Sequence, residues 1–312
     1  MSRTEMSRTE TAAEDPLSVF HVGGLTVSGT TARAQQQLCT RSADHRGRID
    51  LPALGVLFDH IGGAAFYQVG LEAGAMSMQA RLQMSTLGHA SVDDRLICDT
   101  ELAMHDERTG VTTVAIRTES GRVCCVGTAR NIRVGRGTAD TTRPARLADA
   151  PDCADVPNCT DAHGIRLPDP LPSNLDGREI IAQIAAGTRD PGPLATLLNG
   201  VVELRAEGGI RLTVTTEPWM GNIFGTMHGG VIVTIVGQAF SFAGQAQAGA
   251  GRDYHVADMS IGFFRSPTVQ GGPVTVEVTP TKAGRRISAF AARMTAHDGT
   301  LLSDGTADIH FR

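Results

Sequence analysis

A chain of 312 residues is long enough for two cores, because single cores rarely keep growing beyond about 250–300 residues. A net charge of −5 and an aromatic content of only 4% argue against a nucleic-acid binder, which needs clustered Lys/Arg and stacking platforms. Six cysteines show no CxxC pair and no His at zinc-ligand spacing, so free thiols and no metal site are expected.

In chain order, residues 1–16 are polar and repeat Met-Ser-Arg-Thr-Glu at 1–5 and 6–10, which reads as a disordered start without a secretory signal. No apolar run of membrane-spanning length is read anywhere, so the expectation is a cytoplasmic protein without a membrane partner. Residues 17–135 then give a strand-like run at 23–30, an apolar helical segment at 51–66, and β-patterned runs at 76–84, 95–105, 111–118 and 122–134. Residues 136–176 are rich in Pro, Asp, Ala and Thr and read as a linker across the outside. In 177–312, helical character at 178–199 is broken at Asp190-Pro191-Gly192-Pro193, and a strand-like run follows at 209–216. Val231, Ile232, Ile235, Val236 and Ala239 then fall at helical spacing in 229–243, and β-patterned runs follow at 255–264, 274–280, 286–295 and 300–311. One long helix followed by antiparallel strands, twice over, predicts an α+β fold with a helix wrapped by a sheet in each half.

The halves repeat at a fixed offset. Gly121, Gly127, Thr128 and Ala129 recur as Gly299, Gly305, Thr306 and Ala307, 178 residues on. The same offset carries Asp50 onto His228 and Asp59 onto Gly237, and it aligns the two apolar helical segments.

The second helix opens on Gly221-Asn222-Ile223-Phe224-Gly225-Thr226-Met227-His228-Gly229-Gly230. This resembles the signature of the PaaI-type branch of hotdog acyl-CoA thioesterases, in which two subunits pair and each site takes its Asn/His/Gly group from one and an acid from the other. The family's acidic position, nine residues after the His, is Gly237 here; the first half keeps an acid, Asp59, but has Asp50-Leu51-Pro52 in place of His-Gly-Gly. The resemblance therefore implies two tandem hotdog domains forming an internal pseudo-dimer. It also implies one composite site of Asp59, Asn222, His228 and Gly229, with Ser77 at the family's Ser/Thr position. It further implies an acyl-CoA substrate (an acyl-carrier thioester being the alternative), coenzyme A only as part of that substrate, no other cofactor, and a homo-oligomer, dimeric or trimeric.

The residue types suit that chemistry. Gly229 and Gly230 at a helix start offer free N–H groups to an oxyanion, or else form a tight turn. Asp59 lies between Phe58 and His60 in an apolar segment, where burial would raise its pKa and make it a nucleophile or general base, or where it pairs with His60. Asn222 and His228 either orient water and thioester or hold the loop, and Ser77 either fixes water or is an ordinary strand serine. Phe58, Ile61, Phe66 and Phe224 are expected to line the acyl pocket together with Gly230. Lys282, Arg285 and Arg286 either meet the nucleotide of coenzyme A or form a solvated hairpin end. His45, His60, His89, His105 and His255 have no ligand spacing. Rival readings are a non-catalytic acyl-thioester binder and a hotdog hydratase or dehydratase, whose Asp/His loop pattern is not found.

Overall fold

The computed structural model describes residues 14–71, 76–87, 90–134 and 164–312. Residues 136–163 of the expected linker 136–176, with Cys153, Cys159, His89 and the start of the chain to residue 13, lie outside the described residues. Within the expected disordered start, Asp15 caps a short helix, α1 (Pro16–Val19), with its side chain accepting from the Ser18 N–H, and Pro16 is buried. The first half continues with β1 (Val22–Ser28), β2 (Thr31–Gln37), α2 (Gly55–Leu71), β3 (Met76–Ser85), β4 (Arg95–His105), β5 (Thr109–Thr118) and β6 (Val123–Val134). The second half has α3 (Gly177–Ala185) and α4 (Pro193–Leu197), then β7 (Gly200–Leu204), β8 (Ile210–Val214), α5 (Gly229–Gln247) and β9 (Tyr254–Phe263). It ends with β10 (Val274–Lys282), β11 (Ile287–Ala296) and β12 (Leu301–Phe311).

The twelve strands among the described residues form one antiparallel sheet in the order β1-β2-β4-β5-β6-β3-β9-β12-β11-β10-β8-β7. Read from either edge inward, the halves use their strands in the same sequence. They meet at β3 and β9, where Gln83 faces Ser260 at the middle of the pairing from Arg81↔Gly262 to Ser85↔Asp258. A pseudo-twofold axis passes through that pair.

The structure adds β2 and β7 and shifts one correspondence: the run at 209–216 is β8, whose counterpart is β2, and β1 corresponds to β7. The Gly-Thr-Ala repeat has a steric cause. A Cβ on Gly127 would lie 1.9 Å from the Gln83 carbonyl oxygen, and one on Gly305 would lie 2.7 Å from Ile261, so both glycines admit the neighbouring central strand. Gly121 and Gly299 occupy the two equivalent turns with φ of 88° and 84°, a region L side chains disfavour.

α2 and α5 lie against each other and against the sheet, forming most of the core with Phe58, Ile61, Val231, Ile235 and Phe240. Their starts touch backbone to backbone: a Cβ on Gly230 would lie 2.5 Å from the Val56 Cα, and one on Gly55 would lie 3.0 Å from the Gly230 oxygen. α5 is, by length and composition, apolar enough to cross a membrane, with a mean hydropathy of 1.2 over 18 residues, which corrects the expectation that no run qualifies. Here 94% of that stretch is buried inside the fold. Cys39, Cys98, Cys124 and Cys125 are buried free thiols.

Candidate active site

The helix contact brings two sequence-distant groups together. Asp59 projects from α2 to the first turn of α5, where its Oδ2 lies 3.1 Å from His228 Nδ1. A Cβ on Gly229 would meet the Asp59 Oδ1 at 2.6 Å, so the glycine exists to admit the carboxyl. His228 is the N-cap of α5, and its Nδ1 accepts from the Gly230 N–H at 3.0 Å. That bond leaves the neutral ring's proton on Nε2. The Gly229 N–H has no acceptor among the described residues, as expected for the first residue of a helix.

Both side chains are nearly dry but not sealed, at 10% exposure for Asp59 and 14% for His228. Burial pushes the Asp59 carboxyl up to about 7, against a smaller opposite pull from the Gly230 N–H. Burial also pushes His228 down to about 4, with Asp15 opposing. His60, the next residue on α2, is likewise held near 4, by burial first and then by His228. With the Asp59 carboxyl near 7 and His228 near 4, the pair holds one proton between about pH 4 and pH 7, on Asp59. Above that range the carboxylate is free to accept one.

Asp59, His228, Gly229 and Gly230 are brought together as expected. Asn222 sits six residues before His228, and its side chain is spent on its own loop. Its Oδ1 accepts from the N–H groups of Phe224 and Thr226, at 2.9 and 3.2 Å, and its Nδ2 donates to the Thr226 Oγ1 at 3.0 Å. It shapes the approach to His228 by ordering the loop. Ser77 is half-buried at the start of β3, opposite Arg133; the β3 side chain that reaches the Asp59 backbone is Gln79, whose Nε2 donates to the Asp59 carbonyl. Nothing in the strand pattern had marked Gln79.

Phe58, Ile61 and Phe66 are fully buried. Phe58 packs over Gly127, and Phe66 lies under the Arg133 guanidinium against Gly110. Phe224 is 42% exposed on the loop. Lys282 ends β10, and Arg285 and Arg286 lie in the following turn, where the Arg285 oxygen accepts from Arg252 and the Arg286 oxygen from the Phe311 N–H. Arg252, which holds that turn, precedes Asp253, the partner of Arg46 at the pseudo-equivalent position.

The pseudo-equivalent position is rebuilt. Asp50, the counterpart of His228, caps the turn at 51–54 and accepts from the Leu51 N–H at 2.8 Å. Arg46 reaches both Asp44 and Asp50, at 2.5 and 2.8 Å, and stacks 3.7 Å above the Tyr254 ring. Gly237, the counterpart of Asp59, faces Pro52: a Cβ there would lie 2.9 Å from the proline ring. The small residue and the large one have exchanged sides. No cluster of potential metal ligands occurs among the described residues.

Comparison with known proteins bears on the fold. Residues 224–303, from the loop before His228 into β12, match the model of the thioesterase superfamily. No match to a curated protein was found. Among solved structures, a conserved protein with a hot dog fold from Alicyclobacillus acidocaldarius matches with a TM-score of 0.57 at 12% identity, over 92% of this chain and 95% of that one. The tesB protein of Mycobacterium avium subs paratuberculosis matches with a TM-score of 0.57 at 10% identity, over 95% and 97%. An acyl-ACP thioesterase from Bacteroides thetaiotaomicron matches with a TM-score of 0.53 at 10% identity, over 90% and 98%. These likenesses, together with the helix-on-sheet topology, show that the chain has the hotdog fold, with the thioesterase-superfamily match lying in its second half.

Proposed function

We propose that this protein is a tandem hotdog pair that hydrolyses an acyl thioester at one composite site, Asp59 coming from the first half and His228, Gly229 and Gly230 from the second. The observation that carries this reading is a buried carboxyl, poised near neutral pH, facing the free N–H at the start of a 19-residue helix. In the proposed step the thioester oxygen lies at the Gly229 N–H, where the helix dipole favours negative charge. Water adds to the carbonyl carbon as the Asp59 carboxylate takes its proton. The tetrahedral oxyanion then re-forms the carbonyl, the C–S bond breaks, and the leaving thiolate takes the proton back from Asp59. Direct attack by Asp59 with a mixed-anhydride intermediate uses the same groups.

We favour acyl-CoA over an acyl-carrier protein as the thiol carrier because the His228-Gly229-Gly230 opening resembles that of the acyl-CoA thioesterase branch. Thiol release from a panel of acyl-CoA and acyl-carrier thioesters, with product analysis, tests the proposal. Hydrolysis of any member supports it. Binding without turnover points to a non-catalytic binder, and water addition across an enoyl double bond to a hydratase.

A further inference from the structure

One of the cross-strand pairs at which the halves differ lies beside a bulge. In the first half Gln79 on β3 faces Asn131 on β6, beside the bulge between Gln79 and Arg81. In the second half the pair beside the equivalent bulge is Val256 and Ile309. The aliphatic pair is what a buried sheet face ordinarily carries; the amide pair is the exception.

Both amides turn their nitrogens toward α2. Gln79 Nε2 donates to the Asp59 carbonyl, and Asn131 Nδ2 donates to the Gly62 carbonyl at 3.1 Å and to Thr112 Oγ1 at 3.2 Å. Two glycines let them in. A Cβ on Gly63 would lie 3.2 Å from Gln79 Nε2, and one on Gly62 would lie 2.8 Å from the Ala129 Cβ. By the offset of 178, the matching positions on α5 are Phe240 and Ser241. The arrangement is costly, because the Gln79 Oε1 and the Asn131 Oδ1 are both buried without a partner, and Asn131 is only 1% exposed. An unsatisfied buried acceptor costs about 1–3 kcal/mol. The second half has no amide pair at this place, its equivalents being Val256 and Ile309.

We propose that Gln79 and Asn131 are positioning residues for Asp59, two amides of the sheet that grip the backbone of α2 and fix the carboxyl against the first turn of α5. They touch neither the carboxyl nor His228 and act through the helix. The groups that face the carboxyl are His228 and the Gly230 N–H from α5; His60 of α2 is coupled to His228, and Asp15 at the cap of α1 to both imidazoles.

The role in turnover rests on the thioesterase reading; the placement of Asp59 does not, so the test has two arms. In the first, the His228 imidazole is followed by NMR across pH 4–9 in the full-length protein, where ionisation of Asp59 3.1 Å away gives an inflection near 7. Gln79→Met keeps the length and removes the donor, and Gly63→Ala pushes the amide off the helix. Both are expected to move the inflection upward by at least 0.5 unit, because a carboxyl displaced from the Gly230 N–H loses the group that favours its charge. In the second arm, kcat is expected to fall at least tenfold with KM within threefold. An unmoved inflection in folded Gln79→Met and Gly63→Ala overturns the proposal, whatever kcat does. A wild-type protein that turns over no thioester sinks the functional reading and leaves the NMR arm standing.

Discussion

Asp59 carries opposite demands: burial favours its proton, and its proposed task needs the proton gone. With the carboxyl held near 7, kcat/KM should rise with pH on a limb of apparent pKa about 7 and level off above it. His228, near 4, is neutral throughout and adds no second limb there. Asp59→Asn keeps the volume and removes the base, so turnover should fall by about three orders of magnitude while an acyl-CoA analogue still binds. Measurable turnover within tenfold of wild type would remove Asp59 from the chemistry. Gly229 is a different test. A methyl there would meet Asp59 at 2.6 Å, so Gly229→Ala should displace the acid itself, losing turnover together with a few degrees of melting temperature. Full activity in that variant would show that the carboxyl can move without consequence. At this scale the sequence was informative where a residue is needed for what it is: His228, Gly229 and Asp59 stand out by pattern. It was silent on Gln79, whose role depends on a bulge and on two glycines across a helix-sheet gap.

The crossing of α2 and α5 converts two helices into one site. Gly55 and Gly230 let the backbones touch, and that contact sets how far Asp59 reaches toward His228. Gly230→Ala places a methyl 2.5 Å from the Val56 Cα, where backbone and not a flexible side chain must yield. The expected cost is about 1–3 kcal/mol of stability, read by denaturant unfolding, with turnover lost as the helices part. An unchanged midpoint would mean that the helices are free to slide. The helices themselves were readable because their apolar residues recur at helical spacing, and so were the long strands β3–β6 and β9–β12. β7 was missed because five residues after Asn199, at φ 50°, are too few for a pattern. β2 was missed because its buried positions are Ala32, Ala34 and Gln36, so the alternation is in burial and not in hydrophobicity.

For the whole molecule, the rebuilt pseudo-site explains why two similar halves need not carry two similar sites. Arg46 and Asp50 of the first half, with Asp44 holding Arg46, lock onto Tyr254, Asp253 and the Val256 N–H of the second, all close to the central β9. Burial opposes the Arg46 charge, but Asp44, Tyr254 and Asp50 outweigh it and keep the guanidinium protonated. Burial likewise opposes ionisation of Asp44, and Arg46 overcomes it, so that carboxyl lies below its ordinary value. The sequence showed only that Asp50-Leu51-Pro52 stands in place of His-Gly-Gly; the network makes Asp50 a structural residue. Removing one partner of such a set strands the others without compensation, at about 3–5 kcal/mol. Arg46→Met should therefore lower the melting temperature by on the order of 10 °C. Replacing the set together, as Asp44→Asn/Arg46→Met/Asp50→Asn, should cost less than the single change, because no charge is left unpaired. In both variants the folded fraction should turn over thioester at the wild-type rate and bind an acyl-CoA analogue at one per chain by calorimetry, since Asp59 and His228 lie in the other pseudo-site. If Arg46→Met instead binds a second equivalent, the position still holds a working cleft that the guanidinium merely blocks. If it loses turnover while remaining folded, the network supports the active site as well as the joint between the halves.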